Sequence, residues 1–70
     1  MTPKEIRKRA GLPLIATAAA AKTTETTARV YELDREAVKD ERKRAALDGV
    51  YADLASRLPR DSNPPPRMAG

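Results

Sequence analysis

The stretch GLPLIATAAAAKTTETTARVYE, residues 11–32, decides how this chain is read. It holds two short helical patterns with a break between them. Pro13 opens the first, which should run through Ala21, because a proline in the first helical turn forfeits only an N–H that has no partner there. Leu14, Ala18 and Ala21 fall on one face, with Ile15 and Ala19 beside it, and the small alanines let another helix approach closely. Lys22, Thr23 and Thr24 interrupt the apolar pattern. Thr24 is placed to cap a further helix over residues 25–33, with Glu25 in its first turn, where a carboxylate favours the helix dipole. That helix should turn Ala28, Tyr31 and Val30 inward. Its threonines have weak helix propensity, so tertiary packing must hold it.

Upstream, Thr2, Pro3 and Glu5 spell a helix start: a cap, a first-turn proline and the carboxylate that closes a capping box. This first helix should cover residues 3–10 and end at Gly11, which accepts the left-handed conformation. Downstream, Asp34 can cap a fourth helix. With no glycine or proline between, residues 25–58 could also form one continuous rod, but a break near Leu33 and Asp34 is the preferred reading. Glu36 before Lys39 and Asp40 before Arg44 are pairs that support an exposed helix. Leu47, Val50, Tyr51, Leu54 and Leu58 then recur at helical spacing, the strongest amphipathic stripe in the chain. Pro59 should end this helix, Gly49 weakens it, and residues 60–70, with three consecutive prolines, read as a disordered tail. The expected architecture is an all-α helix-turn-helix bundle of about four helices over residues 1–59, with a long C-terminal helix.

Composition narrows the function. Seventy residues allow one small domain, which buries only about 60% of the surface its unfolded chain exposes. Phenylalanine and tryptophan are missing, and Tyr31 and Tyr51 are the only aromatics. A second subunit covering an apolar stripe would thicken so thin a core. Cysteine and histidine are both absent, which argues against a structural metal, a disulfide framework and an enzyme built on a nucleophile and its base. No glycine-rich phosphate loop is present, and no cofactor is expected. The net charge is +4, and residues 1–10 supply three of it through Lys4, Arg7, Lys8 and Arg9 against Glu5. Such a cluster suits phosphate contact as well as it suits a solvated face. No apolar run approaches the roughly 20 residues that span a bilayer. The N-terminus lacks a signal-peptide layout, so the chain reads as soluble and cytoplasmic, with no membrane partner.

Residues 11–32 resemble the helix-turn-helix core of the Cro/cI-type (XRE-like) regulators, at the same length and without gaps. Gly11-Leu12 match the family's opening, Ala18 its mid-helix alanine, Thr24 its serine cap and Tyr31-Glu32 its aromatic-Glu end. Leu14 stands in place of a polar residue that commonly touches DNA. Thr17 replaces a core leucine, Lys22 the turn glycine, Thr23 the turn valine, and Ala28 a larger aliphatic residue. A winged arrangement of the MerR type is a related possibility, but no pair of strand segments is available for a wing.

The resemblance implies a sequence-specific DNA-binding regulator, a repressor or autoregulator, whose third helix enters the major groove. Glu25, Thr26 and Arg29 would then read base edges, with Thr24 and Thr27 near phosphates. Lys22 and Arg7, together with Lys4 and Lys8, would position the protein on the backbone. A homodimer on a two-fold operator would pair through Leu47, Val50, Tyr51, Leu54 and Leu58. The same stripe could instead pack on its own three helices. The competing function is a small protein-interaction module that binds another regulator rather than DNA, which the departures at Leu14 and Lys22 favour.

Overall fold

The computed structural model describes residues 1–58, which form four α-helices with a single 3₁₀ turn before the last: α1 (Pro3–Arg9), α2 (Leu14–Ala20), α3 (Glu25–Leu33), the 3₁₀ turn (Arg35–Ala37) and α4 (Glu41–Arg57). Residues 59–70, to which the expected tail and the terminating Pro59 belong, lie outside the described residues. Among the described residues no helix is long and apolar enough to cross a membrane.

Three of the four helices, α1, α3 and α4, begin where a side chain can satisfy their first N–H groups. Thr2 and Glu5 form the full capping box at α1: the Thr2 hydroxyl accepts from the Glu5 N–H at 3.2 Å and the Glu5 carboxylate from the Thr2 N–H at 3.1 Å. Thr24 accepts from the Thr27 N–H at 3.2 Å at the start of α3. Pro13 is the residue before α2 rather than its first residue, and contributes no side-chain cap.

The ends of α1 and α2 share one construction. After α1, the Gly11 N–H donates to the Lys8 carbonyl and the Leu12 N–H to the Arg7 carbonyl; after α2, the Lys22 N–H donates to Ala19 and the Thr23 N–H to Ala18. Both are Schellman motifs, which require a left-handed residue just past the cap. Gly11 (φ 74°) supplies it for α1 and Lys22 (φ 56°) for α2. For a residue with a Cβ that conformation costs roughly 1–2 kcal/mol, so the α2–α3 turn holds a lysine where glycine would be relaxed.

The chain breaks between α3 and α4 as preferred, but in a different form. Asp34 caps only the 3₁₀ turn, and α4 starts at Glu41 behind a second cap, Asp40, whose carboxylate accepts from the Arg42 and Lys43 N–H groups. The expected Glu36–Lys39 helical pair is therefore not formed within a helix. Asp40 is occupied at the cap, and Arg44 pairs instead with Glu41 (3.9 Å) while donating to the Val38 carbonyl (2.8 Å). Leu58 ends α4 in extended conformation (φ −71°, ψ 148°), as the residue before a proline must.

The core comprises Ala18, Ala21, Ala28, Tyr31, Val38, Leu47 and Tyr51, with Ile6, Leu14, Val30, Ala46, Val50 and Leu54 packed around it. α2 lies on α3, and α4 runs across α1, α2 and α3. The inward face of α2 is Leu14, Thr17, Ala18 and Ala21; Ile15, expected beside that face, is 61% exposed. Thr17 is fully buried in the core, and its hydroxyl donates to the Leu14 carbonyl at 2.8 Å, so the polar atom is satisfied within its own helix.

Two residues of the stripe assigned to a dimer interface belong to the protomer's own core. Leu47 is completely buried and Tyr51 nearly so, because α4 crosses the other three helices and has no closer apolar surface to cover. Val50, Leu54 and Leu58 remain half-buried, the only part of that stripe with area left to offer.

Candidate nucleic-acid interface

α3 has two faces set by its sequence. Ala28 and Tyr31 are buried and Val30 half-buried, while Glu25, Thr26, Arg29 and Leu33 are exposed. Lys22 stands exposed on the turn immediately before the helix. Five of the residues expected to contact DNA thus lie outside the fold on one short segment: Lys22, Thr24, Glu25, Thr26 and Arg29. Thr27 is half-buried, and its hydroxyl is 3.0 Å from that of Thr24. Arg29 reaches back to Glu25 at 3.3 Å, an exposed i,i+4 pair. Such pairs contribute about 0.3–0.5 kcal/mol, less than a bidentate contact to a base at roughly 1–3 kcal/mol, so Arg29 can leave Glu25 for a stronger partner.

Arg7 is placed elsewhere. Its side chain is 13% exposed and turned into the protein, where Nε and Nη2 donate to the two oxygens of Glu32 at 2.5 and 3.1 Å and Nη1 donates to the Leu12 carbonyl at 3.1 Å. Three of its five N–H groups are so engaged and little of the side chain reaches the surface, whereas Lys4, Lys8 and Lys22, expected beside it on the DNA backbone, are exposed. The helical phase explains the placement: Arg7 is three residues before Ala10 and adjacent to Ile6, both turned toward the core side of α1.

What Arg7 does instead is hold α3. The Tyr51 hydroxyl donates to Glu32 as well, so α1, α3 and α4 meet at one carboxylate. A second cluster mirrors the first: the Tyr31 hydroxyl and the Arg35 guanidinium both donate to Asp48, at 2.5 Å for Tyr31 and at 2.8 and 2.6 Å for the two arms of Arg35. Between the clusters the two tyrosine rings stack, centroids 5.2 Å apart and 4° from parallel. Tyr31 of α3 is bound to a carboxylate of α4, and Tyr51 of α4 to a carboxylate of α3. The chain's two aromatic rings are therefore spent on one interlock that fixes α3 against α4.

The ionisation of these groups follows. Burial alone would raise the Glu32 carboxyl, but hydrogen bonds from Arg7 and Tyr51 outweigh it and leave the group below the usual range. The two-armed Arg35 contact, against a smaller opposing effect of burial, brings Asp48 down to about 2, with Tyr31 adding to it. Burial, then hydrogen bonding to Asp48, pushes Tyr31 up to about 12; burial and Glu32 raise Tyr51. Both ion pairs are thus charged and both tyrosines neutral at neutral pH. Sequence reasoning missed this interlock. The available signals were an arginine on the apolar side of α1 and a carboxylate next to an inward tyrosine.

Two surface concavities adjoin these helices. One, of about 220 Å³, lies between Lys4, Arg7, Leu14, Arg29, Glu32 and Leu33. The other, about 390 Å³, is lined by Arg9, Ala10, Leu12, Leu54, Arg57 and Leu58, where the ends of α1 and α4 meet. No family model, curated protein or solved structure matches the chain.

Proposed function

We propose that this protein is a cytoplasmic, sequence-specific DNA-binding regulator, a repressor or autoregulator of the Cro/cI kind, that reads the major groove with α3. The observation that carries this reading is the α2–turn–α3 unit: a tight turn with left-handed Lys22, and a following helix whose inner face is locked into the core while its outer face presents Glu25, Thr26 and Arg29. A helix is useful in a groove only if one side is free and the other rigidly held, and α3 meets both conditions. Binding rather than catalysis fits a chain without histidine or cysteine.

In this reading Arg29 recognises a guanine, Glu25 and Thr26 contact neighbouring base edges, and Lys22, Thr24 and Thr27 lie near the phosphates. A single module grips few base pairs. Two copies on a two-fold site would double the contacts, and the half-buried Val50, Leu54 and Leu58 are the residues of α4 left for such pairing.

A protein-interaction role is the second reading. It is favoured by the exposed apolar side chains Ile15 (61%) and Leu33 (80%), which a purely electrostatic partner would not use. Titration of isotope-labelled protein with duplexes enriched from a random-sequence pool separates the two. Under the DNA reading, amide shifts concentrate at residues 22–29, Arg29→Ala relaxes specificity at one base pair, and Lys22→Ala weakens binding uniformly while flattening the salt slope by about one unit. A well-dispersed spectrum that no duplex perturbs at moderate salt would refute it.

A further inference from the structure

We propose that Leu33 is a base-reading residue, contacting the C5 methyl of a thymine about two base pairs from the base that Arg29 reads. The inference rests on the DNA-binding reading above and adds a contact to it.

Leu33 is 80% exposed, in a chain with few large apolar residues and a core thin enough to use every one. Nothing among the described residues covers it. It lies on the outer stripe of α3, four residues beyond Arg29 and seven beyond Thr26, the spacing that puts all three on one helix face. The surroundings indicate what should cover it. Leu33 borders the concavity shared with Lys4, Arg7, Leu14, Arg29 and Glu32. Arg7 and Glu32 neutralise one another there, which leaves Lys4 and Arg29 as its outward charges. With Lys22 at the other end of α3, the face along α3 carries three cations against two carboxylates, those of Glu25 and of Asp34, the exposed residue next to Leu33. A positively charged rim around an apolar side chain fits a polyanion with an apolar feature inside its groove.

Duplex DNA offers one such feature on its major-groove base edges, the thymine methyl. Four residues of α-helix rise about 6 Å. At about 3.4 Å per base pair that is nearly two steps, which sets the expected offset between the contact of Leu33 and that of Arg29. Against phosphates or sugar edges an exposed leucine would gain little.

The test uses a duplex enriched from a random-sequence pool, in which each thymine in turn is replaced by uracil, a change that removes only the methyl. Affinities of wild type and Leu33→Ala are read by fluorescence anisotropy. Leu33 is exposed at a helix end, so Leu33→Ala should keep the wild-type unfolding midpoint, checked by circular dichroism. One thymine, offset by about two steps from the base pair at which Arg29→Ala relaxes specificity, should on replacement weaken wild-type binding about fourfold, the effect of one buried methyl. The same replacement should leave Leu33→Ala binding unchanged. Wild-type binding that is indifferent to uracil at every position, or a methyl effect that persists in Leu33→Ala, overturns the Leu33 contact while leaving DNA binding intact. Failure to enrich any sequence overturns both.

Discussion

Removing the Glu32 carboxylate should cost this protein most of its stability. The Glu32 side chain is 6% exposed and that of Arg7 13%, and Glu32 accepts from both arms of Arg7 and from Tyr51. Glu32→Ala would leave the Arg7 guanidinium almost buried with only the Leu12 carbonyl for company. Breaking one side of a buried pair costs about 3–5 kcal/mol, because the remaining charge has neither water nor a partner. The stranded Tyr51 hydroxyl adds about 1 kcal/mol, though neighbouring losses do not simply sum. Against roughly 0.05–0.15 kcal/mol per residue, the 58 described residues have about 3–9 kcal/mol in total. Glu32→Ala should therefore be largely unfolded or close to it at 25 °C in water. The assay is urea unfolding followed by far-UV circular dichroism. A control separates the stranded charge from mere loss of contacts: Arg7→Met, Glu32→Leu and Tyr51→Phe together remove every polar side chain of the cluster and leave only the Leu12 carbonyl without its donor. That triple variant should lie within about 2 kcal/mol of wild type, since apolar replacement of a whole buried ion pair is often neutral or better. A Glu32→Ala protein that unfolds cooperatively within 1 kcal/mol of wild type would refute the reasoning and demote the pair to a surface contact.

Three further outcomes are expected. Thr23 is the one described residue with a buried side-chain oxygen lacking a hydrogen-bond partner, so Thr23→Val, which keeps the shape and removes the stranded hydroxyl, should raise stability by about 1 kcal/mol in the same urea assay. Gly49 is an exposed residue inside α4, and a Cβ there would meet nothing within 4 Å; Gly49→Ala should stabilise by roughly 0.5–1 kcal/mol, read as a higher thermal midpoint. Asp48 has its carboxyl brought from 3.8 down to about 2 by Arg35, and a carboxyl lowered by folding contributes stability above its unfolded value that is lost as pH falls through the folded one. The protein should therefore lose stability between about pH 4 and pH 2, and Asp48→Asn should flatten that limb.

Much of the fold was legible because its boundaries are written in local chemistry. The bounds of α3, Glu25–Leu33, follow from the Thr24 cap and from the inward spacing of Ala28 and Tyr31. The termination of α1 ahead of Gly11 follows from the need for a left-handed residue just past the cap. Where two residues could do the same job, the sequence did not choose. Asp34 and Asp40 are both good caps, and only the burial of Val38 between them requires the chain to turn before α4 begins. The outward face of α3 was legible for the same reason as its inward face, since helical phase fixes both. Arg7 was not, because a charge cluster says nothing about which member finds a carboxylate across the fold: Glu32 is 25 residues away in sequence. Leu33 escaped notice because an apolar residue at the end of a helix is ordinarily core, and its exposure depends on the chain leaving α3 through Asp34 rather than continuing.

The interlock also bears on how the candidate reading face is held. A chain without phenylalanine or tryptophan has little apolar area with which to fix a nine-residue helix, and alanines at the α2–α3 contact add little more. Stacked tyrosines contribute about 0.5–1.5 kcal/mol beyond their burial, and each is tied through its hydroxyl to the opposite helix, which sets rotation as well as distance. Tyr31 and Glu32 are consecutive in α3, so their two anchors point about 100° apart around its axis. A helix gripped in two directions cannot roll without breaking one of them. That restraint is what a base-reading helix needs, because a roll of one residue would exchange Arg29 for its neighbours at the groove. If α3 reads DNA as proposed, loss of the Tyr31 anchor should accordingly blur the preference of Arg29 for its base before it abolishes binding: Tyr31→Phe, which keeps the ring and the stack but frees the helix from Asp48, should bind its enriched duplex with lower discrimination and an unchanged salt slope. A Tyr31→Phe protein that discriminates as sharply as wild type would mean that packing alone sets the rotation of α3.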